Sequence, residues 1–249
     1  YDSRFTIDDP RWSVVMQDAI RALVDGGRIE APLAAGALEV IMRGEATPAQ
    51  TAAFLAALRV RGETPEVVAA CLGVMHAHAE RVVAPDVIDI CGTGGDGIDT
   101  INVSTAAGFV VAACGVRVAK HGNRAASSKC GSADVLEALG ARIDLGGEQI
   151  ARVIDGCGFC FLFAQRMHPA MRHVGGPRRE MGVRTVFNIL GPLSNPADPK
   201  RQMVGVGSRA IGPLVAQALA LRGVERALVI HSDDGLDEIS PAAATHAWV

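Results

Sequence analysis

The sequence predicts an α/β protein in which an N-terminal helical domain precedes a larger domain with a mainly parallel central sheet. In residues 1–83, apolar side chains recur at helical spacing. From residue 84 onward, short apolar runs alternate with helical segments, which is the pattern of parallel strands joined by crossover helices. A glycine-rich segment directly follows the first apolar run. We therefore assign residues 1–83 to the helical domain and residues 84–249 to the α/β domain.

Four short helices are predicted in the helical domain. The first two cover residues 12–25 and 32–43, where apolar residues follow a helical period. The third begins with the capping box Thr47-Pro48-x-Gln50, and Thr64-Pro65 starts the fourth in a similar way. Their alanine-rich apolar faces need a cover, so we expect this domain to dock against the α/β domain or a second subunit.

Five strands are predicted in the α/β domain, with helices between them. The linker Ala84-Pro85-Asp86 leads into the first strand. The predicted strands are residues 87–90, 116–119, 159–163, 203–206 and 227–230. A helix over residues 104–114 separates the first two, and successive parallel strands joined in this way end at the same edge of the sheet.

Composition limits the partners that the chain can have. Its 249 residues are 49% hydrophobic and 20% charged, with a formal net charge of −3, which suits a globular protein of one large or two modest domains. The near-neutral charge and the 4% of aromatic residues argue against a nucleic-acid partner. The longest apolar runs, such as residues 106–116, are shorter than a membrane span, and no signal peptide is recognisable, so we predict no membrane partner.

Six cysteines are scattered along the chain, mostly among apolar or small residues. This usage is typical of reduced thiols, so we predict cytoplasmic localisation. Cys157 and Cys160 form a C-x-x-C pair, but no second pair follows at zinc-site spacing. We expect both to be buried thiols at the start of a strand.

The first predicted loop, residues 91–97, contains four glycines in six residues. Glycine lets the backbone adopt left-handed conformations and bring N–H groups close to an anion, and the N-terminus of the next helix adds a partial positive charge. The segment also matches G-x-G-x-x-G, but dinucleotide binding requires an acidic residue about 20 positions further on. Lys120 and His121 occupy that place, and no G-K-[ST] follows, so both common nucleotide loops are disfavoured.

The second predicted loop is Lys120-His121-Gly122-Asn123-Arg124, after the second strand. Because both loops follow parallel strands, we expect them to share one ligand site at the same sheet edge. A cation, an imidazole and an amide beside glycine N–H groups predict a phosphate cradle. The alternative is a pair of glycine turns without a ligand.

Two later segments also carry chemistry. Five arginines lie between residues 166 and 184, and we expect one of them to bind an anion, since guanidinium groups match carboxylates and phosphates. The alternative is a surface helix in which arginine pairs with Glu180. The acidic segment 233–238 follows the last predicted strand and favours Mg²⁺ shared with substrate phosphates, whereas the alternative is an exposed acidic turn.

Long motifs in this order and spacing resemble those of the anthranilate phosphoribosyltransferase family, and the resemblance covers essentially the whole chain. The motifs are residues 92–96, 102–105, 120–124, 131–140, 178–180 and 237–238. The resemblance implies a helical domain completed by helices within residues 165–190, homodimers formed through that domain, and transfer of phosphoribose from 5-phosphoribosyl diphosphate to the amine of anthranilate in tryptophan biosynthesis. The family continues beyond residue 249, so we expect a C-terminally incomplete chain.

The resemblance also implies site residues. Those for 5-phosphoribosyl diphosphate are Gly92, Gly95, Asp96, Thr100, Asn102, Ser104, Thr105, Lys120, His121, Gly122, Asn123, Arg124, Ser127, Ser128 and Ser132. Those for Mg²⁺ are Ser104, Asp237 and Glu238, and those for anthranilate are Gly92, Asn123 and Arg178.

The chemistry expected at such a site is governed by charge. Lys120 and Mg²⁺ neutralise the leaving diphosphate, Asn123 and Arg178 orient the weakly nucleophilic amine, and His121 is a candidate proton acceptor. We expect inversion at the anomeric carbon without a covalent intermediate. Two alternatives remain: a pyrimidine nucleoside phosphorylase, or an inactive truncated relative that binds nucleotides or other partners.

Overall fold

The computed structural model describes residues 11–249 except residues 96, 99 and 126–128, with side chains from residue 14 onward. The helices are α1 (Arg11–Val24), α2 (Ala31–Arg43), α3 (Pro48–Arg61), α4 (Pro65–Ala77), α5 (Val103–Ala113), α6 (Ser132–Ala138), α7 (Gly147–Cys157), α8 (Ala164–Met167), α9 (Arg172–Met181), α10 (Phe187–Leu193) and α11 (Gly212–Leu221). The strands are β1 (Ile88–Gly92), β2 (Val118–Gly122), β3 (Phe159–Phe163), β4 (Arg201–Gly205), β5 (Arg226–Ser232) and β6 (Thr245–Trp248).

The chain divides into two compact units. One contains the described residues through His78 together with Ala170–Phe187, and the other contains Ala79–Pro169 and Asn188–Val249. The first unit is helical and the second is α/β, so the predicted fold class is confirmed.

Local sequence signals set the ends of the helices in the helical unit. At the start of α3, the Gln50 N–H donates to Thr47 Oγ1 and the Thr47 N–H donates to the Gln50 side chain, which is the predicted capping box. α2 ends at Gly44, whose φ of 78° is left-handed and favours glycine. The core of the unit contains fully buried side chains from all four N-terminal helices, including Met16, Leu38, Phe54 and Leu72.

A buried carboxylate lies within this helical core. Glu39 accepts a hydrogen bond from Arg43 Nε at 2.8 Å, and its second oxygen lies 2.9 Å from His78 Nε2. Burial alone would raise the pKa of Glu39, but the bonds to Arg43 and His78 outweigh it and lower the pKa. The pair of basic partners thus keeps Glu39 ionised inside the helical unit.

The α/β unit is built on a six-stranded sheet with the order β3-β2-β1-β4-β5-β6. β1 to β5 are parallel, while β6 pairs antiparallel to β5. From β1 the chain proceeds to β2 and β3 on one side and later to β4 and β5 on the other. The carboxyl ends of β1 and β4 therefore form a topological switch point, the usual place for a ligand in an open α/β sheet.

The two strands that precede the predicted loops are longer than expected. β1 continues through Gly92 and β2 through Gly122, so Lys120 and His121 belong to a strand and are buried rather than exposed on a loop. The Lys120 side chain donates to the Ile90 carbonyl oxygen of the neighbouring strand β1, and the His121 backbone N–H donates to the Asp89 side chain of the same strand. Propensity alone does not reveal such bonds.

Among the described residues, no helix combines the length and apolar character needed to cross a membrane.

The two cysteines of the C-x-x-C pair differ in exposure. Cys160 is buried in β3, as expected, but Cys157 is exposed at the end of α7, so that part of the expectation is wrong. The thiol of Cys157 donates to the Val153 carbonyl oxygen one helical turn earlier.

Candidate functional site

The first glycine loop follows β1 and is tied to the end of β4. The Thr93 N–H donates to the Gly205 carbonyl oxygen at 2.8 Å, and the Gly207 N–H donates to Thr93 Oγ1 at 3.0 Å. Gly94, Gly95 and Gly97 have φ values of 58°, 77° and 75°. These left-handed conformations explain why the loop is rich in glycine.

Asp237 lies directly against this loop. The Gly94 N–H donates to Asp237 Oδ2 at 3.0 Å across 143 residues of sequence. A Cβ on Gly92 would lie 2.7 Å from the same oxygen, and a Cβ on Gly205 would lie 1.7 Å from the Asp237 carbonyl oxygen. Two glycines at the ends of adjacent strands thus leave the space that the acidic segment occupies.

The acidic segment is not uniform. Asp233 and Asp234 are exposed, and they bond His246 and Ser240 respectively. Asp237 and Glu238 are partly buried, and the Glu238 carbonyl oxygen accepts a hydrogen bond from Ser232 Oγ at 2.6 Å. Only the second pair of carboxylates therefore belongs to the strand edge with the glycine loop.

Lys120 belongs to β2, and its side chain reaches both β1 and α5. Its Nζ donates to the Ile90 carbonyl oxygen at 2.6 Å and to Ser104 Oγ at 3.0 Å, and the residue is 2% exposed. Burial lowers the pKa of Lys120, while the negative charges of Asp89 and Glu238 act in the opposite direction. The structure thus brings Ser104, Lys120 and the acidic pair to one end of the sheet.

Asp89 is a residue of this site that the sequence analysis missed. It is fully buried, and its Oδ1 accepts a hydrogen bond from the His121 N–H at 3.1 Å. Burial raises the pKa of Asp89 to about 6, against the opposing effects of Lys120 and Asn195. The signal in the sequence was a single acidic residue inside an otherwise apolar strand, which calls for a buried partner.

The second loop begins with Asn123, after the end of β2. Asn123 Oδ1 accepts a hydrogen bond from the Arg124 N–H at 2.8 Å, and its carbonyl oxygen accepts one from Ser132 Oγ at 3.2 Å. Arg124 Nη1 donates to Asp134 at 3.0 Å and to Glu137 at 2.5 Å. Three predicted site residues, Asp96, Ser127 and Ser128, lie outside the described residues.

The remaining predicted residues between β1 and α5 differ in exposure. Gly95 and Thr100 are exposed. Asn102 precedes α5 and donates from Nδ2 to the Cys130 carbonyl oxygen at 3.3 Å, which links the segment before α5 to the second loop. Thr105 is buried, and in the described part of the chain its hydroxyl has no hydrogen-bond partner.

Arg178 lies in the helical unit, on α9. It is partly buried, its guanidinium group is 5.4 Å from the Phe187 ring centre, and burial lowers its pKa. Arg172 and Arg179 on the same helix are exposed, and Arg166 pairs with Glu80 in the α/β unit. Among the arginines of α9, Arg178 is therefore the one that is shielded from bulk water, an environment that strengthens carboxylate recognition.

The donor atoms at the sheet edge fit a hard cation. Asp237 and Glu238 supply carboxylates and Ser104 supplies a hydroxyl, the oxygen ligands that Mg²⁺ accepts. Within the described ranges, no three or more His, Cys, Asp or Glu side chains form a metal-binding group. Such a set suits an ion that takes its other ligands from water and substrate oxygens rather than a closed protein cage.

Comparisons with known proteins cover both units. Residues 84–249 match the glycosyl transferase family a/b domain, and residues 17–79 match the helical bundle domain of the same family. Anthranilate phosphoribosyltransferase of Dehalococcoides mccartyi is 49% identical over 235 residues, which are 94% of this chain and 69% of that protein. This chain belongs to the anthranilate phosphoribosyltransferase family. The resemblance identified from the motifs is therefore confirmed.

Other members of the family give a consistent result. Anthranilate phosphoribosyltransferase 2 of Streptomyces coelicolor is 56% identical over 86% of this chain and 64% of that protein. The crystal structure of the Thermus thermophilus enzyme has a TM-score of 0.84 at 46% identity, covering 89% of this chain and 68% of that one. A Saccharomyces cerevisiae structure in complex with PRPP and Mg has a TM-score of 0.85 at 28% identity and covers 95% and 73%. The chain thus spans roughly two thirds of the length of these relatives.

Proposed function

We propose that this chain transfers the phosphoribosyl group of 5-phosphoribosyl diphosphate to the amine of anthranilate, releasing diphosphate, as a step of tryptophan biosynthesis. The observation that carries the proposal is the hydrogen bond from the Gly94 N–H to Asp237 Oδ2. It joins a glycine loop suited to phosphate binding to an acidic pair suited to a metal ion, at one edge of the sheet. Lys120 and Ser104 lie at the same edge. Support also comes from family members whose structures were determined with PRPP and Mg and with 4-fluoroanthranilate.

The first loop and Lys120 bind the diphosphate end of the donor. Backbone N–H groups of the glycine loop offer hydrogen bonds to phosphate oxygens, and the buried ammonium of Lys120 adds a positive charge beside β1 and Ser104. Ser104, Asp237 and Glu238 would hold Mg²⁺, which when bound adds positive charge that offsets the charge growing on the leaving diphosphate. Lowering the cost of that charge is the main contribution of this end of the site.

Asn123 and Arg178 are proposed to bind the acceptor. A guanidinium fork matches the carboxylate of anthranilate, and the amide of Asn123 can orient the amine. The amine is a weak nucleophile, so orientation contributes more to its attack on the sugar than a strong base does. His121 is retained as the proposed proton acceptor.

Loss of anthranilate fluorescence tests this function. The purified chain is mixed with anthranilate, 5-phosphoribosyl diphosphate and Mg²⁺, and the expected result is a fluorescence decrease that requires all three. Release of free base from uridine or thymidine in phosphate, with no change in anthranilate, would contradict the proposal and identify a phosphorylase. Binding of 5-phosphoribosyl diphosphate without product would identify an inactive relative.

Homodimerisation through the helical unit stays a prediction from the family resemblance. Sedimentation velocity measures it directly. A species near twice 25.9 kDa is expected, and a concentration-independent species of 25.9 kDa would contradict it.

A further inference from the structure

The loop between β2 and α6 is closed at its base by three residues, Ala125, Gly131 and Asp134, which we call the loop neck. We propose that Asp134 is a positioning residue whose carboxylate holds the two sides of this neck together, so that Asn123 and Arg124 beside it are fixed in place before the donor binds. Asp134 itself does not contact the substrate in this proposal. The inference rests on the proposed function, because Asn123 and Arg124 belong to the proposed donor site.

One oxygen of Asp134 bridges the neck. Its Oδ2 accepts a hydrogen bond from the Ala125 N–H at 2.9 Å and another from the Gly131 N–H at 2.8 Å. The two donors lie on opposite sides of the loop, six positions apart in the sequence. Hydrogen bonds to an ionised carboxylate are stronger than neutral ones, and these two lower the pKa of Asp134.

The close approach at the neck requires glycine at position 131. A Cβ there would lie 2.3 Å from the Ala125 nitrogen and 2.5 Å from the Arg124 carbonyl carbon. A second tie lies next to it, where the Asn123 carbonyl oxygen accepts bonds from the Ala133 N–H and from Ser132 Oγ, both at 3.2 Å. The neck is therefore a packed and hydrogen-bonded closure, and Asp134 is the side chain that spans it.

A closed neck lowers the cost of ordering the loop around a ligand. Binding that must first fix a flexible segment loses affinity to conformational entropy, and tying the ends of the segment in advance reduces that loss. Arg124 and Asn123, both proposed to bind the donor, lie directly at the neck. Removal of the bridge should therefore weaken binding of the donor more than binding of the acceptor.

Glu137 offers a matched control on the same helix. Arg124 Nη1 bonds both Asp134 and Glu137, but the Glu137 carboxylate bonds Arg124 alone among the described residues. Glu137→Gln thus disturbs the pairing of Arg124 and leaves the neck intact. Asp134→Ala removes both functions, while Asp134→Asn keeps a carbonyl oxygen that can accept from the two neck N–H groups.

The first measurement is amide hydrogen exchange without substrate. In Asp134→Ala, exchange at Ala125 and Gly131 should accelerate, whereas Asp134→Asn and Glu137→Gln should stay close to the parent chain. Circular dichroism and thermal unfolding of each variant verify that the fold is kept. Unchanged exchange at both amides in a folded Asp134→Ala variant would overturn the proposal.

The second measurement links the neck to the site. The dissociation constant of 5-phosphoribosyl diphosphate with Mg²⁺, determined by calorimetry, should rise about tenfold in Asp134→Ala, which corresponds to the loss of one charge-assisted hydrogen bond. The KM for anthranilate should change less than about twofold, because the neck is proposed to position the donor and not the acceptor. Asp134→Asn should recover most of the donor affinity. Faster exchange with unchanged donor affinity would overturn the positioning role.

Failure of the proposed function gives a different pattern. If the parent chain binds the donor but forms no product, the proposed reaction is wrong while the comparison of donor affinities still decides the role of Asp134. If the parent chain does not bind the donor, both the proposed function and the positioning role fail, and hydrogen exchange decides only whether Asp134 holds the neck.

Discussion

The α-carbon of Gly205 faces the backbone carbonyl of Asp237 so closely that an added Cβ would lie 1.7 Å from that oxygen. The last residue of β4 is therefore in contact with the acidic segment that follows β5. No methyl group fits at this point unless the acidic segment moves away from the glycine loop.

Gly205→Ala should displace Asp237 and reduce donor binding. Overpacking of a tight contact costs about 1–3 kcal/mol. If displacing Asp237 relieves that strain and the donor must restore it, the affinity for 5-phosphoribosyl diphosphate with Mg²⁺ should fall by roughly fivefold to about 150-fold. Calorimetric titration measures the effect. Gly156→Ala on α7 is the control, because open space surrounds that position, and it should leave donor affinity unchanged.

Replacement of both site carboxylates, Asp237→Asn with Glu238→Gln, should abolish Mg²⁺-dependent turnover. Neutral amides retain the size of the side chains but lose the charge that a hard cation requires. The initial rate of anthranilate consumption over a range of Mg²⁺ concentrations is the measurement. Asp233→Asn, an exposed carboxylate of the same segment, should respond to Mg²⁺ like the parent chain, and an unaltered response in the double variant would show that the acidic pair does not hold the ion.

Arg178→Ala should raise the KM for anthranilate much more than the KM for 5-phosphoribosyl diphosphate. Loss of a charged hydrogen bond to a carboxylate costs about 1.5–3 kcal/mol, or roughly tenfold to a hundredfold in the acceptor KM. Steady-state kinetics with each substrate varied in turn separates the two. Arg179→Ala, the exposed neighbour on α9, serves as the control, and equal effects of Arg178→Ala on both substrates would remove Arg178 from the acceptor site.

Lys120→Met should reduce both stability and activity, and a second substitution at Asp89 distinguishes the two effects. The change leaves the fully buried Asp89 without its cationic neighbour, and loss of one partner from a buried pair costs about 3–5 kcal/mol of unfolding free energy. Adding Asp89→Asn should recover part of that stability, because the remaining side chain is neutral. Urea denaturation and the activity assay are run on all variants. Recovery of stability without recovery of activity is expected, and full activity of the double variant would exclude Lys120 from the chemistry.

The stability of the helical unit should depend on the ionisation of Glu39. Because its folded-state pKa is lower than the ordinary value of 4.5, its contribution is complete above pH 4.5 and is lost as the pH falls through the lower folded value. The difference in unfolding free energy between the parent chain and Glu39→Gln should therefore shrink as the pH is lowered from about 6 to about 3. A difference that stays constant across this range would show that the bonds from Arg43 and His78 do not depend on its charge.

The sequence predicted the architecture because its signals are local. Capping residues, the alternation of apolar runs with helices, and left-handed glycines all act within a few positions, and the five parallel strands lie where the pattern placed them to within a few residues at each end. The antiparallel β6 lies beyond the last predicted strand. The bonds of buried Lys120 and His121 reach Ile90 and Asp89 in the neighbouring strand, which a local pattern does not reveal.

For the site, the sequence predicted which types of residue take part but not which contacts they make. Acidic residues 233–238 were treated as one group, but only Asp237 and Glu238 lie at the sheet edge, since β6 and Ser240 engage the other two. Asp89 and Asp134 were missed because the His121 N–H and the Ala125 N–H that they bind lie 32 and 9 positions away in the sequence. Unlike the capping box at Thr47 and Gln50, these bonds join distant positions, so no local spacing of residue types signals them.

Because Gly94 and Asp237 are far apart in the sequence, the site that they share can form only late in protein synthesis. The ribosome releases Gly94 143 residues before Asp237, so the glycine loop emerges and can curl while the acidic segment is still unmade. Domains generally fold as units during synthesis, so the α/β unit has to wait for its later strands. If Asp237 and Glu238 hold the ion as proposed, the growing chain gains metal affinity only after β5 and the acidic segment behind it have been synthesised.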